Sequence, residues 1–445
     1  MDTPICDFVK KYADNNTARF HMPGHKGKNF IGFEKYDITE IKGADSLYEA
    51  GGIISQSENN ASSLFGCKTF YSTEGSSLCI RAMFYLVMLY ANECKQDLCV
   101  FAGRNAHKTF LSASALLGFN VEWLKNKSNS SYLSFSIDID ELENALSNSK
   151  NKTNVVYITS PDYLGNISDV KQIANVCKKY NTLLFVDNAH GAYLKFLQTD
   201  MHPITLGADM CCDSAHKTLP VLTGGAYLHI AENAPETFVK FAKHALALFG
   251  STSPSYLILQ SLDNANKLLC ESYKDRLKNV CGSVETLKTL LLKHGYVLYG
   301  NEPLKLTVFA KKYGYTGIAL AEILRKNNIE CEFDDPDYTV FMFSADTEDS
   351  ELLLLKNALL ELPKKQELFL SPPPFSLPQS AMEIRKAVIS SSERLPVEKC
   401  LGRISSLATV GCPPAVPIVV PGEIIDENTI ECFKYYGIED CIVVK

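Results

Sequence analysis

The pattern of apolar and polar positions divides the chain into short apolar runs separated by longer helical stretches. DLCVFAG near 97–103, NVVYITS at 154–160, TLLFVDNAH at 182–190 and GAYLHI at 225–230 are nearly continuous in apolar residues. Such continuity predicts strands covered on both faces, because a strand with one wet face alternates apolar with polar residues. Helical periodicity fills the intervals from about residue 60 onward, so the expected fold class is α/β with a largely parallel sheet. Polar residues follow directly on the apolar runs as RNAHK, SPDYLG and DNAHG. Open α/β sheets bind ligands beyond the carboxyl ends of their strands, so these three strand ends are expected to converge on one crevice.

Outside that region the pattern changes. The first thirty or so residues predict a short amphipathic helix and then a turn-rich loop, His21-Met22-Pro23-Gly24-His25-Lys26-Gly27. SYLILQSLDNANKLL and ETLKTLLLKHG predict long helices around 256–295. LKLTVFAKK, GIALAEILRKN, IECEFDDPDYTVFMF and SELLLLKNALLEL then read as a β-α-β-α succession, a small α+β domain at about 303–362. SPPPFSLPQ at 371–379 predicts a linker or extended crossing, and the tail beyond it holds GCPPAVPIVVPGE at 411–423. The expected division is an N-terminal helix and loop (1–35), a large α/β domain that holds the crevice (36–295), a small α+β domain (296–370) and a tail region (371–445).

Composition narrows the function classes. A chain of 445 residues, 46% apolar and 21% charged, has ample material for more than one core. The net charge of −7 is spread along the chain, with no basic block suited to nucleic acid or an anionic membrane. Small molecules are the expected ligands. Fifteen cysteines, an odd number without a C-x-x-C pair, fit reduced thiols. The N-terminus lacks the features of a signal peptide and no apolar run suffices to cross a bilayer, so the expected location is the cytoplasm.

The candidate chemistry centres on Lys217, in CCDSAHKTLPVLTGGAYLH. A lysine in a patch of small polar donors can hold an aldehyde as an imine, although most lysines are simply solvated. Asp187 ends the run TLLFVD about thirty residues earlier. A carboxylate there suits a pyridine nitrogen, since protonation makes the ring a better electron sink, whereas an isolated Asp is more often a helix cap. Gly75, Ser76 and Ser77 precede the helical run CIRAMFYLVMLY and suit a phosphate at a helix N-terminus, although serine taken alone is more often an ordinary N-cap there. Ser214 and His216 add two donors. His107 follows another strand end and can lie flat on a cofactor ring; His190, in Asp187-Asn188-Ala189-His190-Gly191, is a further candidate for orienting it or relaying protons. The expected cofactor is pyridoxal 5'-phosphate. His21 and His25 have the spacing of a helical metal pair, but Pro23 and Gly24 rule out the helix, and no metal is expected. GxxxxGK[ST] and GxGxxG loops are absent, which sets aside kinase and dinucleotide dehydrogenase readings.

Taken in order, HMPGHKG (21–27), DITEIKGADSLYEAGGII (37–54), STEGSS (72–77), RNAHKT (104–109), SPDYLG (160–165), DNAHGAYL (187–194), SAHKTLP (214–220), STSPSY (251–256) and VPGE (420–423) resemble the Orn/Lys/Arg decarboxylase family of fold-type I pyridoxal-phosphate enzymes, in its shorter bacterial form without an N-terminal wing domain. The resemblance covers nearly the whole chain. It implies Lys217 as the Schiff-base lysine, Asp187 on the pyridine nitrogen, His107 stacked on the ring, and Ser76, Ser77, Ser214 and His216 on the phosphate. It also implies a homodimer, or an assembly of dimers, with active sites at the subunit boundary and Thr252 or Ser253 offered to the neighbour's cofactor. The implied reaction is decarboxylation of a basic amino acid, arginine or lysine ahead of ornithine, to a polyamine precursor and carbon dioxide.

The chain departs from the family pattern at several places. Asn188 stands where relatives read DEAHG, and Cys412-Pro413-Pro414-Ala415-Val416-Pro417 where they read YPPGIP. Acidic positions are replaced within Ser405-Ser406-Leu407 and at Gln379-Ser380. These changes bear on the far end of the substrate, not on Lys217. Two other readings remain at this stage: an aminotransferase or lyase on the same fold, with Arg325 or Arg403 available for an α-carboxylate, and a non-catalytic relative that keeps the fold.

Overall fold

Every apolar run named above folds as a strand of one large sheet, in a computed structural model that describes residues 1–126, 131–149, 152–374, 376–408 and 414–445. The sheet has seven strands: β1 (Lys68–Ser72), β2 (Leu98–Ala102), β3 (Val121–Trp123), β4 (Thr153–Thr159), β5 (Leu183–Asp187), β6 (Met210–Asp213) and β7 (Ala226–Ile230). All residues of β6 and β7 are buried, and all but Asp213 and His229 are apolar.

The chain forms two compact units, Met1–Asp97 with Asn151–Thr153 and Val170–Leu277, and Leu98–Lys150 with Asn154–Asp169 and Lys278–Lys445. In the first unit the strand order is β1-β7-β6-β5. β5 and β6 are parallel, with Asp187 opposite Cys212, while β7 runs antiparallel to both β6 and β1. β1, β5 and β6 therefore point the same way, and their carboxyl ends open at the same end of the unit. The helix Gly75–Glu93 buries Leu78, Ile80, Met83, Phe84, Leu86 and Val87, and packs on β7 and on the helix Glu236–Phe249. Each such side chain contributes about 1.5–3 kcal/mol when fully buried, which fixes the helix and the loop that starts it. The predicted N-terminal helix forms over Pro4–Asp14, and the predicted long helices over Tyr256–Glu271 and Tyr273–His294.

The second unit holds β2, β3 and all but the first residue of β4 in the order β4-β2-β3, β2 being parallel to β3. It also carries an antiparallel sheet in the order β10-β11-β9-β8: β8 (Leu298–Tyr299), β9 (Lys305–Phe309), β10 (Phe333–Asp334) and β11 (Tyr338–Met342). With the helices Gly317–Arg325 and Asp349–Leu360 it makes the expected small α+β fold. One element is corrected: IECEFDDPDYTVFMF is a hairpin of two strands and not one. The Asp335 carboxylate accepts from the backbone N–H groups of Asp337 and Tyr338 at 2.7 and 2.6 Å, which turns the chain. The tail adds a paired β12 (Ser392–Pro396) and β13 (Asp440–Val444), which the sequence pattern did not single out. Its own core gathers Val397, Cys400, Ile418, Val419, Ile425, Phe433 and Val443. Among the described residues every cysteine is a free thiol, and no helix is long and apolar enough to cross a membrane. Cys412 and Pro413 lie outside the described residues.

Candidate active site

Three polar stretches follow the aligned ends of β1, β5 and β6 in the first unit, and between them they carry most of the residues singled out from the sequence. After β6 the chain turns at Ser214 into a short helix, Ala215–Thr218, which carries Lys217. Lys217 Nζ lies 2.8 Å from His190 Nε2, so the loop after β5 meets the loop after β6 at the lysine's amine. Asp187, the last residue of β5, is buried at 3% exposure. Its Oδ1 accepts from the backbone N–H of Ala189 at 3.2 Å and faces the Cys212 thiol at 3.7 Å. Burial and the neighbouring Asp187 push that thiol well above its ordinary pKa, so it stays protonated and donates.

Gly75 begins the helix Gly75–Glu93 with φ +72°, and a Cβ placed on it would meet nothing within 4 Å, so the helix starts beside open space. The first N–H groups of an α-helix have no partner within it, which makes this terminus a natural seat for an anion. Ser214 Oγ donates to Ser76 Oγ at 2.8 Å, joining two of the phosphate candidates. His216 Nδ1 lies 3.0 Å from the Gly225 carbonyl and must donate to it, so a donor role toward a phosphate falls to Nε2 and requires the charged imidazole. Thr252 and Ser253 are exposed. Their loop is anchored by the Ser251 N–H on the Glu74 carboxylate at 2.5 Å, one residue before Gly75.

His107 belongs to the second unit, as the N-cap of the helix Lys108–Leu117; its Nδ1 accepts from the backbone N–H of Thr109 at 3.2 Å. His21 and His25 do not share a helix: His21 pairs with Tyr12 Oη and His25 with Asp37. Arg325 is bound to Glu330 and Asp334, and Arg403 to Glu393 and the Val444 carbonyl. Both arginines suggested for an aminotransferase are thus engaged locally. Among the tail departures, Ser405 and Ser406 are buried, and Ser406 Oγ donates to the Ala387 carbonyl at 3.0 Å. Ser380 and Leu407 are exposed. Ala415 is buried at φ +56°, a left-handed conformation that glycine adopts without strain.

Sequence reasoning missed a network behind this site. Asp213, wholly buried, takes a hydrogen bond from Asn188 Nδ2 at 2.7 Å and faces His202 Nε2 at 3.1 Å and His229 Nε2 at 3.2 Å. Burial disfavours its charge, but the two imidazoles outweigh that and hold the carboxyl well below its usual range. Cys211 Sγ lies near the same group, and the ligating atoms of His202, Cys211 and Asp213 fall within 4.8 Å of one another. The separations from Asp213 to the two imidazoles are hydrogen-bond lengths, while His202 Nδ1 is buried without a hydrogen-bond partner among the described residues. Asn188 thereby has a structural reason: it gives Asp213 a donor, where a glutamate would bring a second buried carboxylate. Its amide also lies where a Cβ on Gly191 would be, 2.1 Å away, which explains the glycine of DNAHG. Thr218 Oγ1 is buried without a hydrogen-bond partner among the described residues. No spacing rule pointed to His202, His229 or Thr218.

The donor set fits pyridoxal phosphate: an amine that can hold an aldehyde, a buried carboxylate on the adjacent strand for a ring nitrogen, and serine hydroxyls at an accessible helix N-terminus beside open space. Comparison with known proteins agrees. Residues 3–307 match the model of the Orn/Lys/Arg decarboxylase major domain, and residues 364–440 that of its C-terminal domain. The chain is 27% identical over 459 residues to the uncharacterized protein YaaO of Bacillus subtilis (strain 168), covering 97% of this chain and 93% of that one. It is 28% identical over 467 residues to the arginine decarboxylase of Bacillus anthracis, covering 97% and 92%. Among solved structures, the lysine decarboxylase LdcF of Francisella novicida superposes with a TM-score of 0.80 at 16% identity, over 100% of this chain and 81% of that one. The fold is thus that of the type I pyridoxal-phosphate enzymes, with a large, mainly parallel sheet and a smaller α+β part.

Proposed function

The chain belongs to the Orn/Lys/Arg decarboxylase family, and on that premise we propose that it removes the α-carboxylate of a basic amino acid as carbon dioxide, using pyridoxal 5'-phosphate. Arginine or lysine is the favoured substrate, ahead of ornithine, and the amine product is a polyamine precursor. The observation that supports this best is the pairing of the Lys217 amine with His190 beside the end of β5, where Asp187 is buried.

Pyridoxal phosphate, when bound, supplies a pyridine ring that accepts the electron pair left on Cα as carbon dioxide departs. The chain's own groups do the rest. Lys217 would hold the cofactor through its aldehyde carbon, and Asp187 would keep a proton on the ring nitrogen, with the Cys212 thiol steadying its Oδ1. Ser76, Ser77, Ser214 and a charged His216 hold the phosphate. His107 would lie against the ring face. The reaction takes up one proton per turnover, and Lys217 Nζ, within reach of His190 Nε2, returns it to Cα. A homodimer, with Thr252 or Ser253 reaching the neighbour's cofactor, completes the reading.

The test is to purify the protein with pyridoxal phosphate and measure carbon dioxide release from arginine, lysine and ornithine. Borohydride reduction is expected to leave the cofactor on Lys217, and Lys217→Ala to lower turnover at least about 10³-fold. Trapping on another lysine would remove the site assignment. Cofactor binding without carbon dioxide release from any of these amino acids would remove the decarboxylase reading and leave the fold.

A further inference from the structure

We infer that the tail segment Ala415–Glu423 positions His107, with Glu423 acting through Arg104. This rests on the reading of His107 as the residue that lies against the cofactor ring.

His107 ends the loop between β2 and the helix Lys108–Leu117, and the tail grips that loop on both sides of it. Three residues before His107, Arg104 Nη1 donates to the Pro417 carbonyl at 3.0 Å, and Nη2 to the Ile418 carbonyl at 3.0 Å and to Glu423 Oε2 at 2.9 Å. One residue after it, the Lys108 N–H donates to the Ala415 carbonyl at 2.8 Å. Arg104 and Glu423 are each 3% exposed, and the guanidinium faces the Trp123 ring at 5.1 Å. A buried ion pair of this kind adds little net stability over apolar packing, but losing one partner strands the other charge, so its value lies in fixing geometry.

The tail is itself held in shape for the task. Glu423 Oε2 also accepts from the Val420 N–H at 2.8 Å, folding the segment onto its own carboxylate. Gly422 has φ +95°, and a Cβ there would stand 2.2 Å from the Met382 carbonyl oxygen, so only glycine can precede Glu423. The VPGE motif thus reads as the foot of a clamp. The imidazole's orientation is fixed separately: Nδ1 accepts the Thr109 N–H, which leaves the proton of the neutral ring on Nε2. The tail sets where His107 is, and the helix cap sets which way its ring presents.

The experiment compares wild type with His107→Ala, Glu423→Gln, Lys108→Pro and the His107→Ala/Glu423→Gln double variant. Two readouts are the dissociation constant for pyridoxal phosphate and the circular dichroism that the bound cofactor acquires. Lys108→Pro deletes the N–H given to Ala415 together with the lysine side chain, for which Lys108→Ala, expected to behave as wild type, is the control: position 108 opens its helix, where proline is tolerated, and His107 at ψ 146° already has the backbone that precedes proline. Each single variant but that control is expected to raise the dissociation constant by about tenfold and weaken the dichroism, and the double variant to do no more than His107→Ala alone. In the cofactor-free protein, hydrogen exchange across residues 104–110 is expected to quicken in Glu423→Gln. Wild-type behaviour of Glu423→Gln and Lys108→Pro while His107→Ala is impaired, or full additivity in the double variant, overturns the clamp and spares the reading of His107. Wild-type behaviour of His107→Ala overturns both.

Discussion

At the scale of single residues, the first consequence concerns Asn188. Its amide donates to a buried carboxylate that also faces two imidazoles, so the position demands a donor. Asn188→Asp would put two buried carboxylates in hydrogen-bond contact, and one would have to take a proton to stay there. The expected loss is about 3 kcal/mol of unfolding free energy at pH 7.5, shrinking at pH 5 where protonation is easier. Urea denaturation at the two pH values measures it, and an equal loss at both would show that charge is not the cause. The sequence crowds candidate types together in SAHK and DNAH, and the structure brings Lys217 and His190 of those two stretches within 2.8 Å. The pattern was illegible at His202 and His229, which reach Asp213 from separate elements and look like ordinary core positions in their own segments.

At the scale of elements, burial decided what could be read. β2, β4, β5 and β7 announce themselves because both faces are covered and the apolar run is unbroken. β3 and β8, three and two residues long, are too short to show any period. The β10–β11 hairpin hid because its turn, Asp334-Asp335-Pro336-Asp337, interrupts a run whose two halves share one character. That turn carries a pH consequence. Burial, with Asp337 adding to it, pushes the Asp335 carboxyl up to about 7, against the hydrogen bonds that favour its charge. An acid whose pKa is raised on folding holds its proton more tightly in the folded chain. Its contribution is therefore present in full below pH 4, its ordinary range, and is lost as pH rises toward 7. Asp335→Asn keeps the acceptor oxygen and removes the titration. The decline in denaturation midpoint between pH 4 and 7 should be smaller in the variant than in wild type, and identical declines would refute this origin.

At the scale of the whole molecule, the α/β class and the small α+β part were readable because periodicity reports which faces are wet. The tail's β12–β13 pair was not, since its strands are half exposed and lie more than forty residues apart. The N-terminal loop raises a different point. Phe20, Phe30 and Ile31 are 97%, 75% and 80% exposed, yet the loop is ordered, with the Glu34 carboxylate accepting the N–H groups of Phe30, Ile31 and Gly32. A held loop that presents large apolar side chains suits a surface that a second copy of the chain covers. Sedimentation should give the mass of at least a dimer, and Phe30→Glu with Ile31→Glu should shift the protein toward monomer. A monomeric wild type would end the homodimer reading.

The Arg104–Glu423 pair also bears on how the protein is made. Its two residues lie 319 positions apart, so at typical synthesis rates roughly 15 to 60 s separate the emergence of one from that of the other. Through that interval the arginine waits without its carboxylate, and the loop it anchors has no fixed place. A polypeptide released before residue 423 lacks the carboxylate that Arg104 Nη2 meets. Ordering of the loop that carries Arg104 is therefore expected to follow the emergence of residue 423, and a polypeptide released before that point is expected to exchange its amide hydrogens faster across residues 104–110 than one that carries the pair.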